Sequence, residues 1–185
     1  MIYLLLFTIA LVHGLKFNKN YFNKFIKKIT PLEEVISLVK QEKTCGYLST
    51  LNYSNKLNGY PYSSLVNFIS DYDGNIIFCL SDISQHTKNI NKNSAVSLLI
   101  PQKRLYNQNQ KRVTLTGNIE KVYDEYEKEY LRDIYLKSNN NAYWLKHLDF
   151  NIYKMSNIKD IYYVGGFSKA TKINVKRYFE DFKNI

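Results

Sequence analysis

The chain has 185 residues, enough for one domain with a real core, and its 45% hydrophobic and 15% aromatic content, with 17 Tyr and 10 Phe, argues against disorder and suits strands with one apolar face. The formal net charge is +10, but Lys16, Lys19, Lys24, Lys27 and Lys28 stand in one acid-free run and contribute +5 of it. From residue 31 onward the cations are dispersed among acids, as in Lys121-Val122-Tyr123-Asp124-Glu125, with no basic helix or RNA-binding signature, so nucleic acid is not an expected partner.

Ile2 to Val12 is an apolar run of 11 residues. It is short of the ~20 that a membrane-spanning helix needs and has the length of a signal-peptide core. Residues 1–14 are therefore expected to be a signal peptide cleaved near Gly14, leaving no stable membrane span, although no Lys or Arg precedes the run. Residues 15–29 are basic and read either as a linker or as the second half of a bipartite leader that carries a protein on into a plastid. The expected address is the secretory pathway, secreted or lumenal and lysosomal, with the plastid as the alternative. Asn52-Tyr53-Ser54 is a glycosylation sequon that matters only in the first case.

The remaining residues, 30–185, read as one domain. Thr30-Pro31-Leu32-Glu33 opens a helix: Thr caps, Pro suits the first turn, Glu closes a capping box, and Leu32, Val35, Ile36 and Val39 share a face. Cys45 to Leu51 and Ser63 to Ser70 read as strands joined by a loop with Asn58-Gly59. Asp73-Gly74, between Phe68-Ile69 and Ile76-Ile77-Phe78, is a hairpin signal that makes the second and third strands antiparallel neighbours. Ser81 to Ile90 breaks the strand pattern as a short helix, and Ala95 to Ile100 returns to strand. Arg104 to Lys111 is polar and loop-like, Arg112 to about Val122 a long strand, and Asp124 to Lys137 a helix whose Tyr126, Tyr130, Ile134 and Lys137 are spaced for one face. A last strand region runs from Phe150 through Val164. Strands outnumber helices about two to one, and a closed or nearly closed barrel with peripheral helices removes the exposed strand edges.

Cys45 and Cys79, both inside apolar stretches, read as buried free thiols, with their pairing left open. His13, His86 and His147 are too scattered for a zinc site, and no catalytic acid, base or nucleophile stands out. Trp144 and Tyr143 near His147 form an aromatic group without spacing that demands a pocket.

Four segments, in order, carry a resemblance. Gly59-Tyr60-Pro61-Tyr62-Ser63-Ser64-Leu65-Val66 resembles the second strand of pyridoxamine 5'-phosphate oxidase-like proteins. Leu80 to Ile90, running into Ser94-Ala95-Val96-Ser97-Leu98-Leu99, is similar to the HTxN-containing segment of the HugZ-like and CREG-like branches. Arg112-Val113-Thr114-Leu115-Thr116-Gly117 is similar to the RVTLxG strand, and Tyr163 to Phe167 resembles the HugZ-type ending. The resemblance covers about residues 44 to 170 and implies a mainly β (α+β) fold, a split β-barrel of the FMN-binding type with peripheral helices. It also implies a homodimer with the small-molecule ligand, FMN where present, at the subunit interface.

In flavin-binding members a basic residue on the second strand and an Arg-Lys pair in the following loop hold the flavin phosphate. The matching places here carry Ser63 or Ser64 and Gln85-His86. A dianion wants Arg, Lys or several oriented donors, and Ser63, Ser64, Ser84, His86, Thr87, Lys88 and Arg112 are the candidate cofactor-binding residues. Each has a plainer reading: His86 bonding a backbone carbonyl, Arg112 covering apolar surface with its stem, Gly165-Gly166 forming a tight turn. Three functions follow from the resemblance: an FMN-binding protein, if enzymatic a flavin-dependent oxidoreductase; a non-catalytic CREG-like secreted or lysosomal binding protein; or a haem-binding HugZ-like protein.

Overall fold

The computed structural model describes residues 29–41, 45–54, 56–102, 107–139, 142, 145 and 149–185. The expected signal and basic segments, and the group Tyr143, Trp144 and His147, lie outside the described residues or, for Ile29, at their margin. Seven strands, β1 (Cys45–Leu51), β2 (Pro61–Ser70), β3 (Ile76–Ser81), β4 (Ala95–Pro101), β5 (Arg112–Lys121), β6 (Phe150–Val164) and β7 (Ala170–Ile173), form one antiparallel sheet. Four helices accompany them: α1 (Pro31–Val39), α2 (Gln85–Ile90), α3 (Glu125–Ser138) and α4 (Val175–Phe182).

The strand order is β3-β2-β1-β4-β5-β6-β7, and a further β3–β6 pairing closes the first six into a barrel. Closure rests on the 15-residue length of β6. One edge of it pairs with β5 from Val164 down to Tyr153. Its other edge is divided, with Phe150 to Met155 taken by β3 and Ile161 to Val164 by β7. The hairpin at Asp73-Gly74 is formed as expected: Gly74 takes φ 92°, which a side chain would oppose, and Asp71 accepts from the amides of Asp73 and Asn75 at 3.0 and 2.9 Å. Gly165-Gly166 is likewise a tight turn, closed by Gly165 N–H donating to the Lys169 carbonyl at 2.8 Å.

Two apolar zones hold the molecule. Inside the barrel, Leu48, Phe68, Ile76, Phe78, Leu98, Ile100, Val113, Leu115, Tyr153, Met155 and Ile161 are buried, and α1 and α4 join the same core. A second zone lies outside, where Leu131 and Tyr135 of α3 cover Ile69, Ile77, Cys79 and Ile152. Both faces of β3 are therefore covered, and all six of its residues are buried, which is why it reads as an unbroken apolar run. Away from α3, the described part of the outer wall leaves Leu65 of β2 and Tyr47 of β1 64% and 43% exposed.

Four sequence expectations are corrected. The buried stripe of α3 is Leu131 and Tyr135, with Ile134 half-buried, while Tyr126 and Tyr130 are 86% and 59% exposed. The helix rests tangentially on a convex wall, so a narrow stripe suffices and the tyrosine face turns outward. Both thiols are free, but only Cys79 is buried. Burial pushes that thiol up to about 12, whereas Cys45 faces out and donates to Asn67 Oδ1 at 2.9 Å. Asn52 of the sequon is 7% exposed, so the folded chain does not present it for modification. Strand β7 and helix α4 were not anticipated, although Asn174 caps α4 by accepting from Arg177 N–H at 3.0 Å and Val175, Tyr178, Phe179 and Phe182 recur at helical spacing.

Candidate functional site

At the end of the barrel where β3 stops, Ser84 N–H donates to the Ser81 carbonyl at 3.1 Å and α2 begins. Asp82 fixes the approach: its Oδ2 accepts from Asn151 Nδ2 at 2.8 Å and from Lys121 at 3.5 Å, and its Oδ1 from the Tyr153 hydroxyl at 3.3 Å. Ser81 Oγ also donates to Asp149. Helix α2 is wedged against β1 and β2 by Thr87, Asn89 and Ile90, all buried. Asn89 Nδ2 donates to Thr50 Oγ1 and Gln85 Nε2 to Asn89 Oδ1, both at 2.9 Å. The helix is thus an anchored element, which a binding rim requires.

The candidate residues do not all meet there. Ser63 and Ser64 are consecutive on β2 and face opposite sides. Ser63 shares a 3.1 Å hydrogen bond with Ser49 on the outer wall, while Ser64 Oγ is buried without a partner. Thr87 Oγ1 is likewise buried and unpartnered. Ser84 stands at the N-cap of α2, His86 in its first turn and Lys88 in its last, with His86 on a different face from the other two, and the Ser84 hydroxyl makes no capping bond. Lys88 is exposed. Arg112 lies at the opposite end of the barrel: it pairs with Pro101, whereas the α2 end of β5 is at Asn118, opposite Ala95, about 20 Å away at ~3.3 Å per residue. Its guanidinium donates to the carbonyls of Gln108 and Gln110 at 2.8 and 3.2 Å.

Within one chain, then, these residues do not fit a flavin phosphate. The hydroxyls of Ser64 and Thr87 are buried, and the exposed cations at the rim, Lys88 and its neighbour Lys92, are point charges without the paired donors that a guanidinium offers a phosphate. His86 presents different chemistry. It is half-buried, it makes no bond to a carbonyl among the described residues, and burial holds its imidazole below the ordinary histidine value.

The open outer wall is the other feature of the site, and sequence reasoning missed it because it exists only in the cross-strand register. Leu65, Tyr47, Leu99, Thr114 and Tyr162 pair in sequence across β2, β1, β4, β5 and β6, forming one row. Ser63, Ser49, Ser97 and Thr116 form the next. The outward positions of β1 and β4, Cys45, Tyr47, Ser49, Leu51, Ala95, Ser97 and Leu99, carry no charge. Among the described residues no group of three or more metal-ligating side chains occurs, and no helix is long and apolar enough to cross a membrane.

The profile of the CREG β-barrel family matches residues 36–180. The chloroplastic heme oxygenase HOZ of Arabidopsis thaliana is 35% identical over 146 residues, 77% of this chain and 43% of that protein, so the chain spans less than half the length of this curated relative. Among solved structures, a heme-binding protein from Mycobacterium smegmatis superposes with a TM-score of 0.70 at 22% identity, covering 84% of this chain and 62% of that one. Campylobacter jejuni ChuZ superposes with a TM-score of 0.65 at 21% identity, covering 87% and 62%. At these identities the superpositions show the shared barrel.

Proposed function

The chain belongs to the CREG β-barrel family, and on that premise we propose that it binds haem at the α2 rim, in a cleft that two copies build together along their open walls. The observation that carries this reading is His86, a half-buried imidazole on the rim helix whose neutral form burial favours, the form that ligates iron. Lys88 and Lys92, both exposed, are placed on and just after the same helix to meet the propionates. When bound, haem supplies the redox and oxygen chemistry; the protein supplies the ligand, the apolar surround and the exclusion of water. The names of the chloroplast relative and of the mycobacterial structure support the ligand class. The uncharged wall supports the dimer, since a two-fold contact sets each surface patch against its own copy and like charges would repel. The chloroplast relative also favours the plastid alternative for the leader.

Haemin added to the purified chain is expected to give a sharpened, shifted Soret band, and His86→Ala to weaken binding about tenfold or more, the loss of one ligating bond. FMN added in parallel should keep its free fluorescence. A His86→Ala protein with an unchanged Soret band, or tight FMN binding, would overturn the reading.

The same histidine carries a pH signature. The unfolded chain takes a proton near pH ~6.5 that the folded chain resists until lower pH, because burial lowers the folded value. The contribution is therefore complete above about pH 6.5 and is lost as the pH falls toward the folded value. In urea melts without haem, His86→Leu is expected to flatten the decline in stability between about pH 7 and pH 5. A wild-type profile no steeper than that of the variant would contradict this.

A further inference from the structure

Helix α3 is held differently from the other helices. Helices α1 and α4 put Ile36, Val39, Tyr178 and Phe182 into the core inside the barrel, and Asn89 ties α2 to Thr50 of β1. Among the described residues, the apolar zone beneath α3 shares none with that core. Strand β3 divides between the two by its alternation: Ile76, Phe78 and Leu80 turn inward, Ile77 and Cys79 outward. Lifting α3 would therefore uncover the outer zone and leave the inner core and the β3–β6 ladder that closes the ring in place.

The hold on α3 is slight. Of its 14 residues only Leu131 and Tyr135 are buried, with Ile134 half-buried beside them. Among the described residues its polar ties to the barrel are the Glu127–Lys154 pair at 2.7 Å, whose carboxylate is 41% exposed, and a 3.4 Å hydrogen bond from the Tyr135 hydroxyl to the Asn67 carbonyl. A partly exposed ion pair contributes little, and 3.4 Å is long for a hydroxyl donor. Arg132 adds no tie to the barrel wall, because its guanidinium donates to the Leu145 carbonyl, farther along the same segment. A helix of this length is marginal once it leaves its support.

We propose that α3 opens from the wall as a unit of its own, uncovering the outer face of β3 while the barrel stays closed. Elements with few buried contacts open at a fraction of the cost of unfolding the whole domain, and a satellite core separate from the main one is where such an opening is confined. Cys79 reports it. The thiol is 7% exposed in the zone that Leu131 and Tyr135 cover, and Cys45 is the only other thiol in the chain. Disulfide exchange needs a thiolate within reach of solvent, which the closed helix withholds. The inference does not rest on the haem reading, since the rim helix α2 and its bonds to β1 take no part in it.

The test uses the full-length Cys45→Ser protein and dithiobis(nitrobenzoate). The Cys79 thiol gives its proton to water, its sulfur forms a new disulfide with one aryl sulfur of the probe, and the other leaves as the coloured thiolate. Labelling without denaturant is expected, accelerating with urea at less than about half the slope of global unfolding, because the slope follows the area exposed. Leu131→Ala should speed labelling about tenfold or more, as for deletion of a buried leucine side chain. Leu98→Ala, a similar deletion in the inner core, should lower the urea midpoint and change the labelling rate by less than about twofold. An aryl group on the sulfur has no room beneath the helix, so the labelled protein should lose the folded amide signals of residues 125–138 and keep those of the strands. A urea slope equal to that of global unfolding, or equal acceleration by Leu98→Ala, would overturn the proposal. So would a rate indifferent to Leu131→Ala, because the thiol would then be reached without moving α3. The slope is measured on the parent protein and stands whether or not the Leu98 variant folds.

Discussion

Gly117→Ala is expected to lower stability by about 3 kcal/mol or more, the upper end for forcing atoms into a packed region, and to drop the thermal midpoint by about 6–12 °C. The added Cβ would stand 2.4 Å from the Asn157 carbonyl oxygen and 2.9 Å from Ile158 Cα. Both are backbone atoms of β6, so no rotamer change relieves the clash. The position coincides with a register shift in the β5–β6 ladder between Thr116 and Gly117, where the strands bend most tightly. Gly46→Ala is the informative control. Its new methyl would meet Leu98 Cδ1 at 2.7 Å, with backbone no nearer than the Leu99 carbonyl at 3.2 Å, and a leucine end can move. Urea melts of the two variants should rank Gly117→Ala well below Gly46→Ala; a loss under about 1 kcal/mol at Gly117 would mean that the bulge yields.

Phe182→Ala should cost about 3–5 kcal/mol, as for other buried phenylalanines. The ring is 1% exposed and lies against Gly74, whose hypothetical Cβ would be 2.8 Å from it. Tyr178 meets it edge-on at 5.3 Å, and Lys40 sits 4.6 Å over its face while donating to the Phe182 carbonyl at 2.8 Å. One side chain thus ties α4 to α1 and to the β2–β3 hairpin. Phe182→Leu, which keeps most of the volume, is expected to cost under about 1.5 kcal/mol. Equal midpoints for Phe182→Ala and wild type in guanidinium melts would show that α4 is not part of the cooperative core.

Much of the barrel was legible because its signals are local. Asp73-Gly74 fixes a hairpin through backbone conformation alone, and the apolar run Ile76 to Leu80 marks a strand whatever covers it. What failed was anything set by the surroundings of an element. Tyr126 and Tyr130 have the spacing of a buried stripe, but spacing alone does not say which of two apolar stripes meets the wall. Cys45 lies among apolar residues and still faces solvent, because β1 has an inner and an outer side and no described helix covers the outer one at Cys45.

The candidate site divides in the same way. Ser84, His86 and Lys88 share the rim because all three fall within five consecutive residues of one short helix and its cap, though His86 takes a different face. Arg112 was grouped with them through resemblance to a strand motif, and strand length carries it to the other end of the barrel. Ser64 and Thr87 are near the rim in sequence, yet the two-residue period of β2 and the packing of α2 turn their hydroxyls inward. The row from Leu65 to Tyr162 had no signal in the sequence, because it is assembled from five strands whose register only closure defines.

Strand β6 has a consequence for synthesis. It is the partner of β3, β5 and β7, so no segment ending before residue 150 can complete the ring. A nascent chain therefore holds β1 to β5 with no strand to close them until β6 has emerged. Closure of the ring must await β6, at the slower pace of topologies dominated by distant contacts, and in that interval a chaperone has its opportunity and aggregation its risk.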